Sequence, residues 1–132
     1  MIKPLSQRRQ QVDFLLLIIL VAVVYGRVLG HDFQRDYDDN YYVLYRPAVM
    51  GFSWEHVRTI FTTFHVGNYA PVQMLSYMVD YELWGLHAPG FLLTNLVIHA
   101  ANGMLIYRLI DRWYGGRLGA LVAATIFLIH PV

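Results

Sequence analysis

The chain has 132 residues, of which 57% are hydrophobic, 15% aromatic and only 14% charged, against roughly 45–50% apolar and about 25% charged in soluble domains. That balance excludes a disordered chain and argues against an ordinary soluble enzyme. Ten basic and nine acidic residues leave a net charge of +1, and cysteine is absent. Nucleic-acid binding by bulk charge has no support, and thiol chemistry, disulfides and thiolate metal sites are excluded. What is left is a membrane protein or a piece of one.

Lys3, Arg8 and Arg9 precede Phe14–Val24, a run without a polar side chain. Residues 1–11 read as a cytoplasmic tail and 12–30 as a first transmembrane helix. A bilayer core needs about 20 helical residues, so Asp13 and Arg27, near its two ends, are expected to reach toward the headgroups. A cleaved signal peptide has the same basic start. No small-x-small site follows at Val24-Tyr25-Gly26 or Val28-Leu29-Gly30, which favours an uncleaved signal-anchor.

Residues 31–90 form a loop rich in Tyr, Phe and Trp, with seven acidic and three basic side chains. Ser53 is placed to cap a helix over Trp54–Phe61, with Glu55 in its first turn. Trp54, Val57, Ile60, Phe61 and Phe64 form an apolar stripe on it. Pro71 suits the first turn of a second helix with Val72, Leu75, Met78, Val79 and Leu83 as its stripe, ended by Gly85. Both are expected to be amphipathic helices at a membrane interface. A small apolar core within the loop is the alternative.

A second transmembrane helix over 91–110, a short cytoplasmic loop over 111–117 and a third helix over 118–132 complete the path. Fifteen residues rise only about 22 Å, short of a crossing, so the third span is either tilted against partners or truncated with more chain to follow, and truncation is expected. Arg108, Arg112 and Arg117 share the cytoplasmic side with the basic amino terminus, which makes the 31–90 loop extracytoplasmic. The expected fold class is an all-α membrane protein with three transmembrane helices.

Two clusters carry candidate chemistry. After the first span, four carboxylates crowd into Asp32-Phe33-Gln34-Arg35-Asp36-Tyr37-Asp38-Asp39-Asn40. A carboxylate just outside a membrane can act as a general base. The spacing Asp36-x-Asp38 also resembles the Asp-x-Asp pair of many glycosyltransferases, and two carboxylates match a hard cation such as Mg2+ or Mn2+. The same residues equally suit a solvated turn. In the second span Asn95, His99 and Asn102 fall on one helical face. They line a polar cavity or make interhelical hydrogen bonds, with Gly103, Ala100 and Ala101 permitting close approach. No Ser-His-Asp or metalloprotease spacing occurs. His31, His56, His65 and His87 are isolated and receive no role.

Several stretches together resemble one family. Asp38-Asp39-x-x-Tyr42-Val43, Ile60-Phe61-Thr62-Thr63-Phe64, Asn68-Tyr69-Ala70-Pro71-Val72, Leu75-Ser76-Tyr77-Met78-x-Asp80-Tyr81-x-Leu83-x-Gly85-Leu86, Gly90-Phe91-x-Leu93-x-Asn95-Leu96-x-x-His99-Ala100-Ala101-Asn102 and His130-Pro131-Val132 follow one another in order. Together they are similar to the start of the membrane region of the transmembrane and tetratricopeptide-repeat O-mannosyltransferases and their bacterial relatives. Tyr69-Ala70-Pro71 stands where Trp-His-Pro is common, and Arg46-Pro47 where Asn-Pro is usual. The resemblance implies a glycosyltransferase-C fold and a polyprenyl-phosphate sugar donor, with a protein or glycan hydroxyl as acceptor. It places the family's catalytic acidic pair on Asp38 and Asp39. An arginine or a metal must then meet the departing phosphate, Arg35 being the nearest arginine in sequence, and His130 is expected to face the same cavity. The membrane is then a bacterial inner membrane or that of the endoplasmic reticulum, and 132 residues alone are expected to turn nothing over. A non-catalytic membrane module, docking a partner through its outer loop, is the competing reading.

Overall fold

A computed structural model describes residues 7–130; Lys3 of the basic amino terminus and Pro131-Val132 of the third apolar stretch lie outside the described residues. Five α-helices occur in the order α1 (Gln7–Tyr25), α2 (Trp54–Thr62), α3 (Pro71–Trp84), α4 (Ala88–Tyr114) and α5 (Arg117–Ile129). Short 3-10 turns cover Gly26–Gly30 and Pro47–Val49, and a π-helical turn covers Asn40–Leu44. Among the described residues there is no β-strand, only an isolated bridge between His65 and Asn68. The chain divides into two compact units: α1 with everything from Asn95 onward, and Leu29–Thr94.

The first unit is built on small residues and a few large ones. Leu17 and Val21 on α1 meet Ala120, Ala124 and Leu128 on α5, with Ala100 and Tyr107 of α4 completing the cluster. A Cβ added at Gly103 would lie 2.6 Å from the Leu128 side chain, so glycine is what lets these helices touch. Such small-residue contacts are how helices associate where no hydrophobic effect drives them together. The outward faces remain aliphatic: Val23, Leu105, Leu118 and Ile126 are exposed.

Two helical stretches, Gln7–Gly30 and Ala88–Tyr114, are long and apolar enough to cross a membrane. Only 17% and 22% of their most apolar windows is buried, which is the opposite of a soluble core helix. Those surfaces require an apolar solvent or a partner. The boundaries differ from expectation. The chain is already helical at Gln7, inside the stretch read as a tail, where Gln and Arg are good helix formers. The second extends three residues before 91 and four beyond 110. The third is shorter than a span: α5 has 13 residues, a rise of about 20 Å.

The Leu29–Thr94 unit closes on its own core of Tyr42, Val43, Ala48, Val49, Ile60, Met74, Met78 and Phe91. The expected caps form. Ser53 Oγ accepts the His56 backbone N–H at 3.0 Å, Pro71 sits in the first turn of α3, and Gly85 ends it. The expected stripes are split, however. Ile60 and Met78 are buried, whereas Trp54 is 80% and Val72 74% exposed. The face of α3 that packs inward is Met74, Met78 and Asp80, one step round the helix from the stripe read in the sequence. Burial against α2 and the Pro47–Val49 turn decides the rotation, and periodicity alone does not.

Candidate functional site

The acidic segment in the Leu29–Thr94 unit folds as a looped turn. Asp32 Oδ1 accepts the Phe33 N–H at 2.8 Å, Tyr37 N–H donates to the Gln34 carbonyl at 3.2 Å, and Arg35-Asp36 form the bend. Asp39 Oδ2 then accepts the Gln34 N–H at 2.7 Å, closing the loop as the helical turn through Asn40–Leu44 begins. A cleft of about 340 Å³ lies here, lined by His31, Asp32, Gln34, Tyr37, Asp38, Asp39 and Leu92. Asp38 is exposed in it, while Asp39 is half-buried and committed to the backbone. The two adjacent carboxylates are therefore not equivalent. Arg35 and Asp36 are exposed on the bend and are not among the lining residues. Among the described residues no three His, Asp or Glu side chains converge as a metal site.

The polar face of α4 belongs to the first unit. Asn95, His99 and Asn102 do share a face: with Tyr25, Leu96 and Ile98 they line an open cavity of about 600 Å³. His99 Nε2 lies 3.1 Å from the Leu128 carbonyl, a bond that requires the proton on Nε2. Its ring stacks on Phe127 at 5.2 Å and meets the edge of Tyr25 at 5.5 Å. His99 thus bonds across helices, while Asn95 and Asn102 stay exposed. His130 is exposed at the end of α5, its backbone N–H bonded to Ile126. The acidic residues sit in one unit, and His130 and the Asn-His-Asn face in the other.

Three buried polar residues escaped the sequence reading. Asp13, expected to reach outward, is fully buried. Arg117 grips it with Nη2–Oδ1 at 2.7 Å and Nε–Oδ2 at 3.0 Å, and the Tyr107 hydroxyl donates to Oδ2 at 2.5 Å. A lone carboxylate inside an apolar helix demands a partner; that was the available signal, and the nearby arginines were its candidates. The hydrogen bonds that Arg117 donates to the Asp13 carboxylate hold its pKa above the ordinary value. His65 is 1% exposed with Nδ1 unpartnered, and burial, aided by the Arg46 charge, lowers its pKa. Asp80 is 2% exposed with Oδ1 unpartnered; burial raises its pKa and the Thr94 hydroxyl partly offsets that. Thr94 Oγ1 in turn accepts the Trp84 indole N–H at 3.2 Å.

No family model matches the chain, and no solved structure matches it. Over 65 residues the chain is 28% identical to Protein O-mannosyl-transferase Tmtc1 of Drosophila melanogaster. The match takes in 49% of this chain and 8% of that protein, so the chain spans only a small part of its relative's length. This weak similarity to an O-mannosyl-transferase, in a chain with two helices fit to cross a membrane, is where the comparisons and the geometry meet.

Proposed function

We propose that the chain is part of a membrane glycosyltransferase that moves a sugar, with mannose the first candidate, from a polyprenyl-phosphate donor to a protein or glycan hydroxyl on the extracytoplasmic side. The observation that carries this is the similarity to a protein named as an O-mannosyl-transferase. The acidic cleft supports it, since an exposed carboxylate beside a backbone-fixed one is the arrangement a base and its positioning neighbour need. In this reading the amino terminus and the α4–α5 connection face the cytoplasm, Leu29–Thr94 faces outward, and α5 belongs to a third crossing.

The chemistry assigns each group one task. Asp38 takes the proton from the acceptor hydroxyl as that oxygen attacks the anomeric carbon. The bond from that carbon to the donor phosphate oxygen breaks, and the lipid phosphate leaves with the electron pair. Asp39, held by the Gln34 N–H, is a positioning residue. Arg35, on the same loop as Asp38, is the protein's candidate to meet the phosphate charge. The test is transfer from a polyprenyl-phosphate sugar in membranes of cells expressing the native reading frame. Asp38→Asn at normal abundance should lose at least about a hundredfold, the scale of a general base. Full activity in that variant removes the reading. Activity that survives a metal chelator assigns the phosphate charge to protein side chains and not to a cation on Asp36 and Asp38.

A further inference from the structure

The connection between α2 and α3 carries a surface that the acidic cleft does not use. From Thr59 to Val79 the chain has no Asp, Glu, Lys or Arg across 21 residues. Part of that tract is the core, with Ile60, Met74 and Met78 fully buried. What stays outside is the turn and its shoulders: Phe61, Phe64, Val66, Tyr69 and Val72 are all exposed, Phe64 by 72% and Val72 by 74%.

The turn is rigid. His65 and Asn68 exchange both backbone hydrogen bonds at 2.8 Å, with His65 buried between the outward Phe64 and Val66. Val66 is held at φ +50°, where a β-branched residue is rare. The Tyr69 hydroxyl donates to the Phe61 carbonyl at 3.0 Å, and its ring meets Phe64 at 5.8 Å. Gly67, at φ +78°, and Asn68 are usual turn residues; Val66 instead takes a strained backbone and, with Phe64, leaves an apolar side chain outside.

The chain's connectivity names the occupant. This unit follows directly on the helical stretch Gln7–Gly30, and its last residues are the first turns of α4, Ala88–Tyr114, the two stretches fit to cross a membrane. It is therefore tethered to a bilayer surface at both ends. We infer that the Phe61–Val72 turn is a membrane-surface anchor, with Phe61, Phe64, Val66, Tyr69 and Val72 seated at the headgroup–acyl boundary. Aromatic and aliphatic side chains without formal charge are what that boundary favours. The inference rests on α1 and α4 lying in the bilayer.

The absence of cysteine makes the test direct. Single cysteines replace Phe64 and Val72, with Tyr37→Cys as a reference in the acidic segment and Leu105→Cys as a reference on α4. Each variant of the full chain is spin-labelled in phosphatidylcholine bilayers, and collision rates with oxygen and with a water-soluble nickel chelate are compared. Labels at 64 and 72 are expected to shift toward oxygen and away from nickel relative to 37, in the direction of the label at 105. Nickel access equal to that at 37 places the turn in water and overturns the anchor. Low access to both reagents means a protein covers it, and overturns the anchor as well. A label at 105 that reports water removes the bilayer placement itself, and so separates that failure from the anchor's own.

Discussion

Removing one hydroxyl should expose how much the buried carboxylate of α1 contributes. Tyr107→Phe deletes the 2.5 Å hydrogen bond to Asp13 Oδ2 and leaves the ring, its edge contact with Phe14 at 5.5 Å and the Arg117 contacts in place. Hydrogen bonds to charged groups in soluble proteins contribute about 1.5–3 kcal/mol. Interhelical ones in membrane proteins average about 0.6 and reach about 1.7 kcal/mol, because the unfolded chain in the membrane also finds partners. The bond here is short and charged, but Arg117 still satisfies the carboxylate after the change, so a loss of about 1–2 kcal/mol is expected. The assay is a double-mutant cycle of Tyr107→Phe with Asp13→Asn, read by detergent-driven unfolding from mixed micelles. The Tyr107→Phe cost should shrink in the Asp13→Asn background, giving a coupling of about 1 kcal/mol. An equal cost in both backgrounds would mean that the hydroxyl acts through something other than Asp13.

Val66→Gly should stabilise the Leu29–Thr94 unit by about 0.5–1 kcal/mol in a denaturant titration, since glycine accepts the φ of +50° without the strain valine carries there. Gly103→Leu should destabilise the first unit by about 1–3 kcal/mol in the same titration, because even its Cβ would meet Leu128 at 2.6 Å and the helices must separate. Asp80 and His65 set opposite pH slopes. Asp80 has a folded pKa raised above 3.8, so the folded state binds the extra proton; stability is greatest below 3.8 and falls as pH climbs through the folded value, and Asp80→Asn should flatten that fall. His65 has a folded pKa below 6.5, so the unfolded state binds the extra proton; stability rises with pH from the folded value up to 6.5, and His65→Gln should flatten the rise.

Local signals read true where the interaction itself is local. Ser53, Pro71 and Gly85 bound their helices because a cap or a fixed φ acts within one turn. Asn95, His99 and Asn102 share a face because helical spacing alone puts them there. The reading weakened wherever a distant element decides. The buried face of α3 is set by what packs on it, which keeps Met78 inside, brings in Met74 and Asp80 and leaves Val72, Val79 and Leu83 outside. Asp13 finds Arg117 more than a hundred positions away, a pairing no window of sequence contains. His65 gave no signal at all, since its burial follows from a turn held by a positive-φ valine.

The adjacency of Asp38 and Asp39 shows how a motif and a structure divide the same information. In sequence the two are interchangeable acids, and a spacing argument ties Asp38 to Asp36 just as readily. The fold breaks the tie through one backbone N–H, because Gln34 donates to Asp39 while Asp38 stays open to the cleft. The Gln34 N–H occupies Asp39 Oδ2, which leaves that carboxylate less free to meet an acceptor hydroxyl. If either acid takes a proton from an acceptor hydroxyl, it is Asp38, and Asp39 contributes by closing the loop that presents it. Asp39→Asn can keep that contact through the amide oxygen, whereas Asp38→Asn leaves no base. The two substitutions therefore should differ in severity, with Asp38→Asn the more damaging, although neither the pair's adjacency nor its charge distinguishes them.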